Sequence, residues 1–283
     1  MARDRNHIGS YRLLKLIRSG NSCQIWEVID ETNNRRGALK SLKDEFRSNR
    51  EEITLLKNEH LVGSTLDHEN VIRIDHYDSI NGIPHLAMEY FRSNNVKQWI
   101  RLMRESDDAK KLLPKVIKQT AEGLKHLHQQ GWIHRDVKPD NFLVDDTGLV
   151  KLIDFAITER VKTGFARFLG GKSKIQGTRS YMSPEQIRGE RLDYRSDIYS
   201  YGCMLFELFC GRPPFTGGSP DELLQKHLRA AVPSVAAGND DVTPEFTKLI
   251  AKMMAKQKDK RIESMQQFLE AIKTMRIIRV DRN

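Results

Sequence analysis

Apolar and polar positions alternate three times near the start of the chain. Tyr11-Arg12-Leu13-Leu14-Lys15-Leu16-Ile17, Gln24-Ile25-Trp26-Glu27-Val28-Ile29 and Gly37-Ala38-Leu39-Lys40-Ser41-Leu42 each carry the two-residue period of a β-strand. The pattern then lengthens. Ile53, Leu56, His60 and Leu61 recur at roughly helical spacing and predict a helix over residues 47–62. Asn81-Gly82 between two further apolar runs is a hairpin signal. Residues 95–131 read as helices, the longest amphipathic from Leu112 to Gln129 and stopped by Gly131. Phe142-Leu143-Val144 and Leu152-Ile153 are short β-type runs. A strongly apolar helix follows Asp193 through Leu208, closed by the turn Gly211-Arg212-Pro213-Pro214-Phe215, and amphipathic helices cover Phe246 to Met254 and Met265 to Ile272.

Composition changes this picture little. The chain has 283 residues, 39% of them hydrophobic, enough to bury a sizeable core. No apolar run approaches the ~18 residues of a membrane span, and the polar N-terminus has no signal-peptide core, so the expected setting is cytoplasmic, alone or as the cytosolic domain of a larger protein. Cys23, Cys203 and Cys210 share no metal or redox spacing and fit a reducing compartment. The net charge of +9 permits nucleic-acid binding, but no stacking or zinc motif accompanies it, and ordinary surface charge is the expectation. His126 and His128 diverge on a helix and are expected to be surface or packed histidines, not metal ligands.

The densest chemistry lies in His134-Arg135-Asp136-Val137-Lys138-Pro139-Asp140-Asn141, followed by Leu152-Ile153-Asp154-Phe155. Asp136 has a cation two residues on and an amide five residues on; Asp154 closes an apolar strand, where a loop can offer a carboxylate to a metal. A carboxylate beside an incoming hydroxyl, with a carboxylate and an amide oxygen for Mg²⁺, suits phosphoryl transfer. A charged hairpin loop without chemistry is the plain alternative.

This run resembles the catalytic loop and D-F-G of the eukaryotic-type protein kinases, with Tyr181-Met182-Ser183-Pro184-Glu185-Gln186 most like bacterial members of the serine/threonine branch. The resemblance covers roughly residues 8–275. It implies an α+β fold of two lobes: an antiparallel five-stranded sheet with one helix over residues 1–90, binding nucleotide, and a mainly α-helical lobe over 91–283 with the catalytic loop and activation segment. It implies transfer of the γ-phosphoryl of ATP to Ser or Thr of protein substrates, including this chain itself, with Mg²⁺ as cofactor. Asp136 would accept the hydroxyl proton, Lys138 neutralise the migrating group, and Asn141 and Asp154 hold the metal. Lys40, in Ala38-Leu39-Lys40, would reach the α- and β-phosphates and pair with Glu59; Glu51 and Glu52 lie too far upstream. Ile17, Ser19 and Gly20 would line the ATP site. Ile25, Ala38 and Leu143 would enclose the adenine, Met88 guard the back pocket, and the Glu89 carbonyl and Phe91 N–H bond the base. Thr178 marks serine/threonine preference. Arg135 suggests a basic pocket for a phosphorylated activation loop, with Ser173 the first candidate phosphosite beside Thr163 and Thr178. Asp197 would tie the catalytic loop from below, and Arg261 pair with Glu185.

Four positions depart from the family pattern. Arg18 and Cys23 replace the outer glycines of the phosphate loop, which should stiffen or displace it. Gly63 replaces a bulky apolar residue under the helix, and Ala156 replaces the D-F-G glycine. They favour the alternative of a pseudokinase or scaffold; Lys40, Glu59, Asp136, Asn141 and Asp154 favour the enzyme.

Overall fold

A computed structural model describes residues 6–161 and 175–279. They form two compact units: residues up to Ser93 with Ile153–Ala156, and Asn94–Leu152 with the chain from Ile157 onward. The first of these units runs to Ser93, and Ile153–Ala156 joins it although the chain around that segment belongs to the second.

The first unit is a sheet carrying one α-helix. Its strands are β1 (His7–Ile8), β2 (Tyr11–Ser19), β3 (Cys23–Asp30), β4 (Arg35–Leu42), β5 (Ile74–Ile80) and β6 (Ile83–Glu89), antiparallel throughout in the order β1-β2-β3-β4-β6-β5. The two-residue β1 at the edge is the addition to the five expected strands. Asn81 and Gly82 turn the β5–β6 hairpin with φ of 52° and 73°, the backbone sign that Asn-Gly supplies. Ile8, Tyr11, Val28, Leu39 and Ala87 form a buried cluster, flanked by Leu13, Trp26 and Ile83. Leu14, Leu16 and Ile17 do not join it and stay exposed. Register shifts between Leu13 and Lys15 and between Leu16 and Arg18 break the alternation that would have turned one face inward. Helix α1 (Arg50–Gly63) starts where the Asn49 side chain accepts from the N–H groups of Glu51 and Glu52, and it buries Leu56, Glu59, Val62 and Gly63. Leu61, expected on the buried face, is exposed.

The second unit is mainly helical. It holds β7 (Asn94–Asn95), α2 (Val96–Glu105), α3 (Asp107–Lys111), α4 (Leu113–Gln129), β8 (Trp132–Ile133), β9 (Phe142–Val144), β10 (Val150–Leu152), β11 (Glu159–Arg160), α5 (Pro184–Ile187), α6 (Tyr194–Cys210), α7 (Pro220–Arg229), α8 (Pro244–Met253) and α9 (Met265–Thr274). Asn95 with Gln98, and Ser183 with Gln186, form capping boxes at α2 and α5. Buried side chains run from Ser196 to Phe209 on α6, as expected of a helix apolar all round. Short antiparallel ribbons, β10-β9-β7 and β11-β8, flank the segment between β8 and β9.

Candidate active site

In the first unit the chemistry gathers on Lys40. Cross-strand pairing sets Lys40 opposite Ile25 on β3 and Leu86 on β6. Its Nζ donates to Glu59 Oε2 at 2.6 Å and stands 3.5 Å from Asp154 Oδ1. Burial works against the Lys40 charge, yet Asp154 and Glu59 together raise its pKa. Burial pushes the Glu59 carboxyl up to about 6, with Lys40 opposing the rise. Both groups are thus charged at neutral pH. Asp154 has a φ of 68°, so the left-handed residue of this segment is the aspartate itself and not Ala156. The Asn58 amide donates to the carbonyls of Phe155 (3.3 Å) and Ala156 (3.0 Å), a brace that nothing in the local sequence signals.

Ala38 is buried and pairs with Met88, while Gly37 pairs with Glu89. Glu89 is held twice: its N–H donates to the Arg73 carbonyl, and its carboxylate accepts from the Arg73 N–H at 2.8 Å. Phe91 is half-buried, and its carbonyl accepts from the Ser93 hydroxyl. Ile17, Ser19 and Gly20 are exposed at the β2–β3 turn, which closes through Gly20 N–H to the Cys23 carbonyl at 2.8 Å. Arg18 pairs with Ile25 on β3, just past the register shift that follows Leu16. Burial raises the Cys23 thiol above its usual range, so it is not an activated nucleophile.

In the second unit the chemistry gathers on Asp136. Its Oδ2 accepts from Lys138 Nζ at 2.5 Å and its Oδ1 from the Thr178 N–H at 2.8 Å; Lys138 Nζ also donates to Thr178 Oγ1 at 2.8 Å. Asn141 Nδ2 donates to the Asp136 carbonyl (2.9 Å) and Oδ2 (3.2 Å). The loop is held by Asp197 at the start of α6, 1% exposed, whose carboxylate accepts from the N–H groups of His134 (2.8 Å) and Arg135 (2.9 Å) and from His128 Nε2 (2.8 Å). His128 is therefore packed and structural. Gln186 Nε2 donates to the Arg135 carbonyl at 2.8 Å, and Gly177, at φ 117°, lies so near that carbonyl that a Cβ would come within 2.8 Å of it. The glycine thereby lets Thr178 reach Asp136. Leu143 is half-buried on β9.

Arg135 is 8% exposed, and its Nη1 donates to Glu159 at 2.9 Å. Ser173 and Thr163 lie outside the described residues. Sequence reasoning also missed a buried polar group in which Glu207 on α6 bonds both Lys97 and Tyr181. Its only trace in the sequence is a glutamate within a run that is otherwise strongly apolar. The expected Glu185–Arg261 pair is doubly bonded, at 2.6 and 2.8 Å; burial would raise the Glu185 carboxyl, but the guanidinium holds it below its usual value.

Among the described residues, no group of three or more His, Cys, Asp and Glu side chains is arranged to hold a metal, and no helix is long and apolar enough to cross a membrane.

Strands, helices and both charged clusters carry the features of one enzyme class, and the comparisons agree. This chain belongs to the protein kinase domain family, which matches residues 11–271. Within it the chain stands on the serine/threonine branch beside bacterial relatives. It is 31% identical over 266 residues to the serine/threonine-protein kinase PrkC of Bacillus subtilis (strain 168), covering 94% of this chain and 40% of PrkC. It is 30% identical over 272 residues to PknA of Corynebacterium glutamicum, covering 94% of this chain and 56% of that protein. PknB of Mycolicibacterium smegmatis is 30% identical over 260 residues, covering 90% and 41%. The chain thus spans from two fifths to little more than half the length of these curated relatives.

Proposed function

We propose that this chain is an ATP-dependent protein serine/threonine kinase that phosphorylates protein hydroxyls and its own. The carrying observation is the Asp136–Lys138–Thr178 cluster: a carboxylate fixed by an ammonium and a backbone N–H, each at 2.8 Å or less. In this reading Asp136 orients the substrate hydroxyl and takes its proton as oxygen bonds to the γ-phosphorus. The bond to the bridging oxygen breaks, ADP leaves, and Lys138 offsets the charge on the moving phosphoryl group. Lys40, kept charged by Asp154 and Glu59, binds the α- and β-phosphates. Ile17, Ser19 and Gly20 line the ATP site; Ile25, Ala38, Met88 and Leu143 contact the adenine, and Glu89 and Phe91 bond it through the backbone. Residues 1–90 are assigned to nucleotide and 91–283 to the catalytic loop and protein substrate.

By donor chemistry, each of Asn141 and Asp154 suits Mg²⁺. Asn141 spends its amide nitrogen on Asp136 and keeps an oxygen to offer, and the Asp154 carboxylate is 38% exposed; hard oxygen ligands completed by phosphates and water are what this cation takes. When bound, the ion supplies neutralisation of phosphate charge. No disulfide joins Cys23, Cys203 and Cys210, in keeping with a reducing cytosol as the site of action, whether alone or as part of a longer protein.

The test is incubation with Mg²⁺ and γ-labelled ATP beside Asp136→Asn. Label on the wild type, reduced by about a thousandfold in the variant, is expected. A wild type that binds ATP without transferring label overturns the reading.

A further inference from the structure

The antiparallel ladder between β4 and β6 ends where Gly37 faces Glu89, so the chain leaves the sheet just before Phe91. Beyond that pair, its position has to be fixed by other contacts. One flank is held by Arg73, which bonds Glu89 through both its N–H and its carbonyl. The other flank is held by side chains. Pairing continued one step past Gly37 and Glu89 sets Arg36 opposite Tyr90, and the Arg36 guanidinium lies over the Tyr90 ring, 4.9 Å from its centre.

Glu27 completes the group. It pairs with Ala38, which in turn pairs with Met88, and residues two apart on a strand share a face. Glu27, Arg36 and Tyr90 therefore follow Ala38 and Met88 on the face assigned to adenine. The Glu27 carboxylate accepts from Arg36 Nε at 2.5 Å and from Nη2, and it also accepts from the Tyr90 hydroxyl. Burial and this bond raise the Tyr90 phenol above its usual range, so it remains a donor at neutral pH. The Glu27 side chain is 6% exposed and that of Arg36 60%. A carboxylate so buried costs free energy, and an ion pair that offsets the cost adds little over an apolar pair of similar size. What it adds is geometry: one acceptor fixes a donor from β4 and a donor from the segment that follows β6.

We propose that Glu27, Arg36 and Tyr90 form a clasp that extends the hold of the sheet beyond its last backbone pair. Glu27 and Arg36 are then positioning residues for the base, keeping the Glu89 carbonyl and the Phe91 N–H at the separation adenine requires. This rests on the nucleotide assignment made above.

The double variant Glu27→Leu/Arg36→Leu tests it, because it removes a buried charge while opening the clasp. Its Tm should be no lower than that of the wild type. Calorimetric titration with adenosine should show affinity weakened about tenfold, while tripolyphosphate with Mg²⁺, which carries no base, should bind as before. In the transfer assay the KM for ATP should rise about tenfold with kcat within about twofold of the wild type, the signature of binding lost equally from ground and transition states. Tyr90→Phe keeps the ring and removes the hydroxyl, and should weaken adenosine about threefold. It carries the same comparison should the double variant fail to fold. Wild-type affinity for adenosine in either variant, or an equal loss for adenosine and tripolyphosphate, overturns the proposal. A wild type that binds adenosine but transfers no label overturns the kinase reading alone, and the titrations still decide the clasp. A wild type that binds no adenosine overturns the clasp.

Discussion

At the scale of single residues, Glu59 puts activity and stability on opposite sides of one titration. Its folded pKa of about 6 lies above the ordinary 4.5, so the folded state binds this proton more readily than the unfolded chain. Its contribution to stability is complete below 4.5 and is lost as pH rises through about 6, a difference of about 2 kcal/mol. The Lys40 ion pair, by contrast, needs the carboxylate and weakens as pH falls through the same value. Phosphoryl transfer should therefore drop by half near pH 6, and a rate–pH profile of Glu59→Gln, already slow, should show no step there. The charged residues of this site were legible because each sits beside a distinctive neighbour in sequence. Asn58 was not singled out, and Gly177 and Gln186 entered only as letters of a motif, because what they contribute is a bond or a close approach to the backbone of a distant segment.

At the scale of elements, most strands and helices followed from periodicity, since alternation and helical spacing report which face meets a core. The exceptions have local causes. Two register shifts leave Leu14, Leu16 and Ile17 exposed on β2, and Leu61 turns outward because the buried face of α1 runs through Leu56, Glu59 and Gly63. Between elements, Arg261 bonds Glu185 at the start of α5 and the Arg195 carbonyl on α6, and is buried. Removing it strands an ionised carboxylate in the interior. Arg261→Ala should lower stability by about 3–5 kcal/mol, read as a shifted denaturation midpoint, with Arg261→Ala/Glu185→Gln recovering part of the loss.

For the molecule as a whole, acid is the weak side. His227, fully buried against the Tyr199 hydroxyl at 3.0 Å and the Phe215 ring, is lowered to about 4 by burial, with the nearby Lys256 charge acting in the same sense. Its folded pKa lies below the unfolded 6.5, so its contribution is complete above 6.5 and is lost as pH falls toward 4, roughly 3 kcal/mol. A net charge of +9 at neutral pH grows over the same range and adds self-repulsion. Thermal melts should show Tm falling from pH 6.5 to 4, with a shallower slope in His227→Gln.

The amino-acid sequence by itself determined the order of the elements, because strand and helix periods are local, and, through the family its motifs resemble, the class of fold and the chemical groups, which stand at fixed separations along the chain. Only the tertiary structure decided which of those groups meet. Asp197 holds backbone donors 63 and 62 positions away, Arg261 reaches a carboxylate 76 positions away, Arg135 closes on Glu159, and Ile74 fills the space above Gly63. No local period encodes such partners; they are chosen by where packed elements bring unpaired charges, backbone donors and empty volume together.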